Sequence, residues 1–313
     1  MNIKKIKIIF LSNGLFGLPT FKELIKKKLN IIYTITSKKN KINKKKNFIK
    51  YLSKKKKIKL IYSEYINKKK NILKIKKSKP DLLIIISFKI LKKKIWNIPK
   101  IGSINIHPSL LPQYKGSNPI NWVIINGEKN TGLTSFFINE KIDEGKIILQ
   151  KKIKIKKNIN YDKLYNLLSI KSKNFVIKTI KNIINNKKFT KVKINKKKII
   201  LAPKINNFFT KIFFFIDIKK IYNKIKGLSK KKSAWCFLNT KNNLFIINIY
   251  KIKIIIKKHN FYFGQSFFFK KKIYISAKNG FIILLKCKLE NKKEIKNINI
   301  YNGLINYKNI YFF

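Results

Sequence analysis

Short, continuous apolar runs separated by stretches of helical character constrain this chain more than any other feature. Ile6 to Leu11, Asn30 to Thr36, Lys59 to Tyr62, Asp81 to Ser87 and Ser103 to His107 read as strands, and Phe21 to Lys28 reads as a helix between the first two. Strands that lack a polar face need cover on both sides, and helices between them supply it, so the pattern predicts an α/β domain with a doubly wound, mostly parallel sheet. In open sheets of this kind ligands bind beyond the carboxyl ends of the strands. The chemistry is therefore expected just past those ends.

The most specific string in the chain stands there. Asn105-Ile106-His107-Pro108-Ser109-Leu110-Leu111-Pro112 closes a predicted strand. Side chains alternate across a strand, so Asn105 and His107 share a face, and the prolines stop the strand directly behind them. A carboxylate in a glycine-containing loop follows at Asp143-Glu144-Gly145. An amide can donate to a developing oxyanion, an imidazole can move protons near neutral pH, and a carboxylate can fix its tautomer. That set suits transfer of an acyl group, and no serine or cysteine nucleophile is needed if the acceptor is an amine. Taken alone, an Asn-x-His pair is as readily a cap for backbone groups. Here His259 is the one other histidine, and the Ser-Leu-Leu-Pro tail is much less common than the pair.

These residues, with Lys115-Gly116-Ser117-Asn118-Pro119-Ile120 and the Thr131-Gly132-Leu133-Thr134 step, resemble the core of the folate-dependent formyltransferases. The resemblance runs with gaps from the first strand to about Leu304 and is densest from Ile101 to Gln150. It implies 10-formyltetrahydrofolate as the donor and the α-amino group of methionyl-initiator tRNA as the acceptor, for translation initiation. It implies catalytic roles for Asn105, His107 and Asp143. It also implies a folate site built from Ser109, Leu110, Leu111 and Pro112 with Ile86 and Phe88, and tRNA contacts from Lys44, Lys45, Lys46 and Lys204. Two departures stand out. Phe88-Lys89 replaces the family's aromatic-Gly step beside the pterin, and the Lys38 to Lys50 loop is shorter, free of glycine and nearly all Lys, Asn and Ile. The Gly14-x-x-Gly17 turn with Phe16 is more often a tight turn than a phosphate cradle. By the resemblance it belongs to the wall of the amine site.

The second half changes character. Tyr161 to Ile170 has helical spacing that continues towards Ile184, and lysine-rich 187–203 reads as a linker, with Ala202-Pro203-Lys204 resembling the start of the family's second domain. Ile218 to Leu228 reads as a helix. Leu244 to Lys257 and Ile273 to Leu289 are β-rich, and Asn279-Gly280 between apolar runs is a hairpin signal. The expected organisation is a catalytic domain at 1–186, a linker at 187–203 and a smaller β-barrel at 204–313. The family has an oligonucleotide-binding-type (OB-like) barrel here that holds the acceptor end of tRNA; the residues alone are equally consistent with a barrel that binds nothing.

Charge adds less than its size suggests. The formal net charge of +65 would point to a polyanionic partner. Yet every basic residue is lysine, and Ile, Asn, Phe and Tyr are abundant, a pattern expected from A+T-rich codon drift. Most lysine runs are accordingly read as solvated faces. Cys236 and Cys287 form neither a disulfide framework nor, with His259, a metal-ligand spacing. The expectation is a cytoplasmic monomer without metal and without a membrane segment, since the longest apolar runs fall far short of a bilayer span.

Three alternatives remain. Glycinamide ribonucleotide formyltransferase shares the Asn-x-His string but lacks the extra β-rich half. A sugar-nucleotide formyltransferase shares both domains. A decayed, non-catalytic RNA-binding protein would explain the drift but not the joint retention of Asn105, His107 and Asp143.

Overall fold

The structure is a computed structural model that describes residues 2–38, 47–185, 189, 199–240, 243–296, 298–305, 307 and 310–313. The chain forms two compact units. One comprises Met1–Pro119, Asn130–Lys154 and Lys163–Ala202, and the other Ile120–Lys129, Ile155–Asp162 and Pro203–Phe313.

The first unit is built on β1 (Ile8–Ser12), β2 (Ile31–Thr36), β3 (Lys59–Tyr62), β4 (Leu82–Ile86) and β5 (Gly102–His107). A short strand, β6 (Lys115–Gly116), follows, and then β7 (Asn130–Phe137) and β8 (Ile147–Lys154). The main sheet has seven strands in the order β3-β2-β1-β4-β5-β7-β8. β1 to β5 run parallel, while β7 pairs antiparallel with both β5 and β8. β1 and β4 are buried at every position, as continuous apolar strands require when both faces are covered.

The cover comes from α1 (Leu18–Lys26), α2 (Phe48–Lys55), α3 (Lys69–Lys77) and α4 (Lys93–Trp96), and, beyond α5 (Pro119–Ile125) of the other unit, from α6 (Tyr161–Ile184). On one face Ile9, Leu11, Ile35, Leu83 and Ile85 pack with Ile72 and Ile75 of α3. α6 is fixed by small polar contacts. Ser172 lies 2.7 Å from Thr20 of α1, and the Thr179 hydroxyl donates to Ser135 of β7 at 3.0 Å. The two-residue strand β9 (Leu201–Ala202) returns to pair with β6.

The second unit contains α5, α7 (Asn207–Thr210) and α8 (Ile218–Gly227). Its sheet uses β10 (Ala234–Asn239), β11 (Leu244–Ile256), β12 (Ser266–Phe269), β13 (Lys272–Ala277), β14 (Gly280–Leu289), β15 (Ile295–Lys296) and, after α9 (Ile298–Leu304), β16 (Tyr311–Phe312). Strand order is β12-β13-β14-β11-β10-β16, with β15 on β14. The sheet curls until its ends meet. Tyr311 bridges Gln265, and the Phe312 N–H donates to the Gly264 carbonyl at 2.9 Å. A Cβ on Gly264 would stand 1.9 Å from the Phe312 carbonyl oxygen, so only glycine permits the closure.

α8 is capped by the Asp217 side chain and buries Ile218, Ile221 and Ile225, the stripe expected of an amphipathic helix. The β13–β14 hairpin falls one residue earlier than the Asn279-Gly280 signal suggested. Ala277 pairs with Gly280, so Lys278 and Asn279 form the loop. Asn279 supplies the positive φ of 71°, while Gly280 is needed as a strand residue because a Cβ there would meet the Ile255 carbonyl at 2.0 Å. Among the described residues, no helix is long and apolar enough to cross a membrane.

Candidate active site

Asn105 and His107 leave the same face at the carboxyl end of β5, as their spacing requires. β5 is flanked there by β4, where Ile85 is opposite Asn105, and by β7, where Thr134 is opposite His107. Asn105 is half-buried, and its amide makes no hydrogen bond to another described residue. His107 is buried, with 6% of its side chain exposed. Its Nε2 lies 2.9 Å from the Tyr114 carbonyl oxygen. A carbonyl only accepts, so Nε2 carries the proton and Nδ1 keeps its lone pair when the ring is neutral.

Nδ1 faces Asp143, whose Oδ2 lies 3.7 Å away. The β7–β8 loop holds that carboxylate in place. Asp143 adopts a positive φ of 55°, and its Oδ2 accepts the Gly116 N–H at 3.0 Å. Next to it, Glu144 pairs with Lys115 at 2.6 Å. Gly145 is obligatory, because a Cβ would fall 1.5 Å from the Phe137 carbonyl. The structure therefore brings all three predicted polar groups to one strand end. It adds a main-chain carbonyl as the hydrogen-bonding anchor of the imidazole and a separation between His107 and Asp143 too long for a direct hydrogen bond.

The Pro-Ser-Leu-Leu-Pro bend is laced to β7 and β8. The Leu111 N–H donates to the Thr134 hydroxyl at 3.1 Å, and that hydroxyl donates to the Ser109 carbonyl at 2.7 Å. The Gln150 amide donates to the Leu111 carbonyl at 2.7 Å. Ser109 spends its own hydroxyl on the Gln113 carbonyl and is wholly buried, as Leu111 nearly is. Leu110 and Pro112 stay half-buried. Gly132 packs so closely under Leu110 that a Cβ would lie 2.4 Å from it.

Other expected residues take different places. The Ile86 side chain is fully buried, so whatever it offers a ligand comes from its main chain. Phe88 is half-buried against the core beside β4, and Lys89 is exposed. Phe16, expected to line the amine site, is instead 3% exposed and packs edge-on against Tyr165 of α6. Lys204 is exposed. Lys44, Lys45 and Lys46 lie outside the described residues, as does most of the linker.

Tyr114, Gly116, Thr134 and Gln150 received no role from the sequence. The first two act through main-chain atoms, which no side-chain pattern reveals. Neither cysteine is a candidate nucleophile. Burial raises both thiols, Cys287 to about 12, and so disfavours the thiolate. Among the described residues no group of three His, Cys, Asp or Glu side chains could hold a metal ion.

Residues 4–180 match the formyl transferase family, and residues 204–304 match the formyl transferase C-terminal domain. The methionyl-tRNA formyltransferase of Flavobacterium johnsoniae is 41% identical over 212 residues, which cover 68% of this chain and 67% of that protein. The corresponding enzyme of Flavobacterium psychrophilum is 37% identical over the same shares. Among solved structures, WlaRD, a sugar 3N-formyl transferase, superposes with a TM-score of 0.66 at 24% identity over 92% of this chain and 99% of its own. HypX from Aquifex aeolicus in complex with tetrahydrofolic acid gives 0.65 at 14% identity over 96% of this chain and 48% of its own. At these identities the two structures speak to the fold.

Proposed function

The chain belongs to the formyl transferase family and catalyses formyl group transfer, and from that premise we propose that it formylates methionyl-initiator tRNA, with 10-formyltetrahydrofolate as donor. The acceptor follows the names of the two Flavobacterium relatives, whose matched region spans about two thirds of each protein. One observation carries the chemical reading: the convergence of Asn105, His107 and Asp143 at the end of β5.

That donor set fits a formylated folate. Asn105 has an uncommitted amide, and Lys89, which stands where the family has glycine, is exposed to solvent. The main chain from Ile86 to Phe88 and the Ser109–Pro112 bend would hold the donor, which supplies a formyl carbon bonded to nitrogen. The Asn105 amide donates to the oxygen that gains negative charge as the acceptor amine adds to that carbon. His107, held by Tyr114 through Nε2, uses Nδ1 to take the amine's proton, and the Asp143 carboxylate stabilises the resulting imidazolium. The proton then passes to the nitrogen that departs as the C–N bond to the donor breaks. An α-amino group has a reference pKa of about 7.7–8.0, so part of the acceptor is already nucleophilic near neutral pH.

Purified protein incubated with the formylfolate and charged initiator tRNA should yield N-formylmethionine after deacylation. A sugar-nucleotide acceptor is the second reading, since that class shares the two-domain organisation found here. Formylation of an amino-sugar nucleotide, with none of the aminoacyl-tRNA, would select it. Binding of RNA with neither product would select a non-catalytic protein. A cytoplasmic, monomeric state is proposed with the tRNA reading.

A further inference from the structure

We propose that the segment 200–202, the last residues of the first unit, is a positioning element of the active site. The inference rests on the reading of His107 and Asp143 as the proton-handling pair. Each of them is held by one main-chain group of a single short stretch: His107 by the Tyr114 carbonyl at 2.9 Å, and Asp143 by the Gly116 N–H at 3.0 Å.

That stretch is held in turn by segment 200–202. The Ile200 N–H donates to the Gln113 side-chain oxygen at 2.8 Å, and the Tyr114 N–H donates to the Ile200 carbonyl at 2.6 Å. Lys115 and Gly116 then pair in parallel with Leu201 and Ala202, and the Asn118 N–H donates to the Ala202 carbonyl at 3.1 Å. The contacts from 113 to 118 thus point alternately to segment 200–202 and to the catalytic pair. Gly116, at φ +120°, is required for this arrangement, because a Cβ there would lie 2.7 Å from the Ala202 carbonyl oxygen.

A two-residue strand pair has little stability of its own. Ile200 and Leu201 are 41% and 54% exposed, so backbone bonds and the buried Ala202 do most of the holding. Beside the Lys115–Glu144 pair and the Ser109–Gln113 bond, segment 200–202 supplies the backbone bonds that fix the Tyr114 carbonyl and Gly116 amide against His107 and Asp143. Misplacement of one orienting bond costs about tenfold in rate.

Gln113→Leu removes the acceptor of the Ile200 N–H, whereas Gln113→Glu keeps an oxygen there. Histidine-selective ¹⁵N NMR reads the consequence directly, because His107 and His259 are the two histidines of the chain. His259, bonded through Nε2 to the Ala277 and Gly280 carbonyls in the barrel, serves as the reference for folding. In Gln113→Leu, His107 is expected to lose its fixed Nε2–H tautomer while His259 stays unchanged. kcat should fall about tenfold with a displaced pH profile and an unaltered KM for the formylfolate, and Gln113→Glu should restore the tautomer, kcat and the pH profile. A Gln113→Leu protein with wild-type His107 resonances and pH profile overturns the proposal, and so does parallel disturbance of both histidines, which marks general unfolding. Loss of the tautomer in a protein that forms no product even as wild type would leave the positioning role standing and sink the proposed reaction instead.

Discussion

The His107 imidazole and the Tyr114 carbonyl lie 2.9 Å apart, and this contact decides which ring nitrogen can do chemistry. With Nε2 committed as a donor, Nδ1 is the basic atom, and it faces the carboxylate of Asp143. Removal of a positioned general base typically costs 10²–10⁴-fold, so His107→Gln is expected to lower kcat by roughly that factor. Steady-state kinetics across pH would check it. A variant that keeps both its rate and the acid limb of its profile would show that the ring has only a structural role.

Asn105 tests the other half of the mechanism. Its amide has no hydrogen bond to another described residue, so Asn105→Ala leaves no buried partner unsatisfied and should fold normally. An oxyanion donor is worth about 2.7–4 kcal/mol, so turnover should drop on the order of a hundredfold or more. Folate binding, measured by fluorescence titration, should change little, because the donor acts on charge that develops only in the transition state.

Gly145 sets the path of the loop that carries Asp143. An added Cβ would collide with the Phe137 carbonyl at 1.5 Å, and backbone cannot rotate away as a side chain can. Gly145→Ala should therefore cost ~1–3 kcal/mol of stability. It should also reduce activity beyond what stability explains, because the Asp143–Gly116 bond is displaced. Thermal melts alongside kcat at a temperature where both proteins are folded separate the two effects.

The geometry of the candidate site was legible where its information lies in side-chain types at strand spacing. Asn105 and His107 share a face because β5 alternates, and Asp143-Glu144-Gly145 marks a tight loop because only glycine fits its third position. β3 falls at Lys59–Tyr62 as its apolar run implied, and β1 and β4 were readable because strands covered on both faces leave no polar gap. What escaped is carried by the main chain or by pairing across long separations. β6 and β9 have two residues each, too few for any pattern, yet β6 carries the amide bonded to Asp143 and directly follows the Tyr114 carbonyl bonded to His107. Phe16 illustrates another limit: a turn aromatic looks the same in sequence whether it lines a site or, as here, packs on the Tyr165 ring. The place of α5 in the second unit was equally hidden. It depends on Asn121 donating to the Gly227 carbonyl at 2.7 Å, a contact across 106 positions.

Lys44, Lys45 and Lys46 form the charge run to which the family resemblance assigns tRNA contacts. Lysines act on phosphate as point charges and release counterions when they bind, so each contact adds to the salt dependence of affinity. Replacing all three with alanine should raise KM for charged tRNA and flatten the plot of log affinity against log salt. The KM for formylfolate should stay constant. Unchanged tRNA kinetics at every salt concentration would reduce the run to solvated charge.

Glu294 is one of 11 acidic residues in the chain and accepts hydrogen bonds at 2.8 Å from both Lys230 and Lys286. These bonds pull its carboxyl down to about 2, well below the ordinary glutamate value of ~4.3. Because the folded value is the lower one, the unfolded chain binds the extra proton between them. The stabilisation is therefore fully present above the unfolded value and is lost as pH falls through the folded one. Glu294→Gln should lower the melting temperature of the protein at pH 7, by a small amount because the pair is near the surface and screened by salt. The difference from wild type should shrink below about pH 4 and close near the folded value of about 2. Melts of the two proteins at pH 7, 4 and 2 in low salt would check this, and a gap that stayed constant across them would assign the effect to packing rather than to charge.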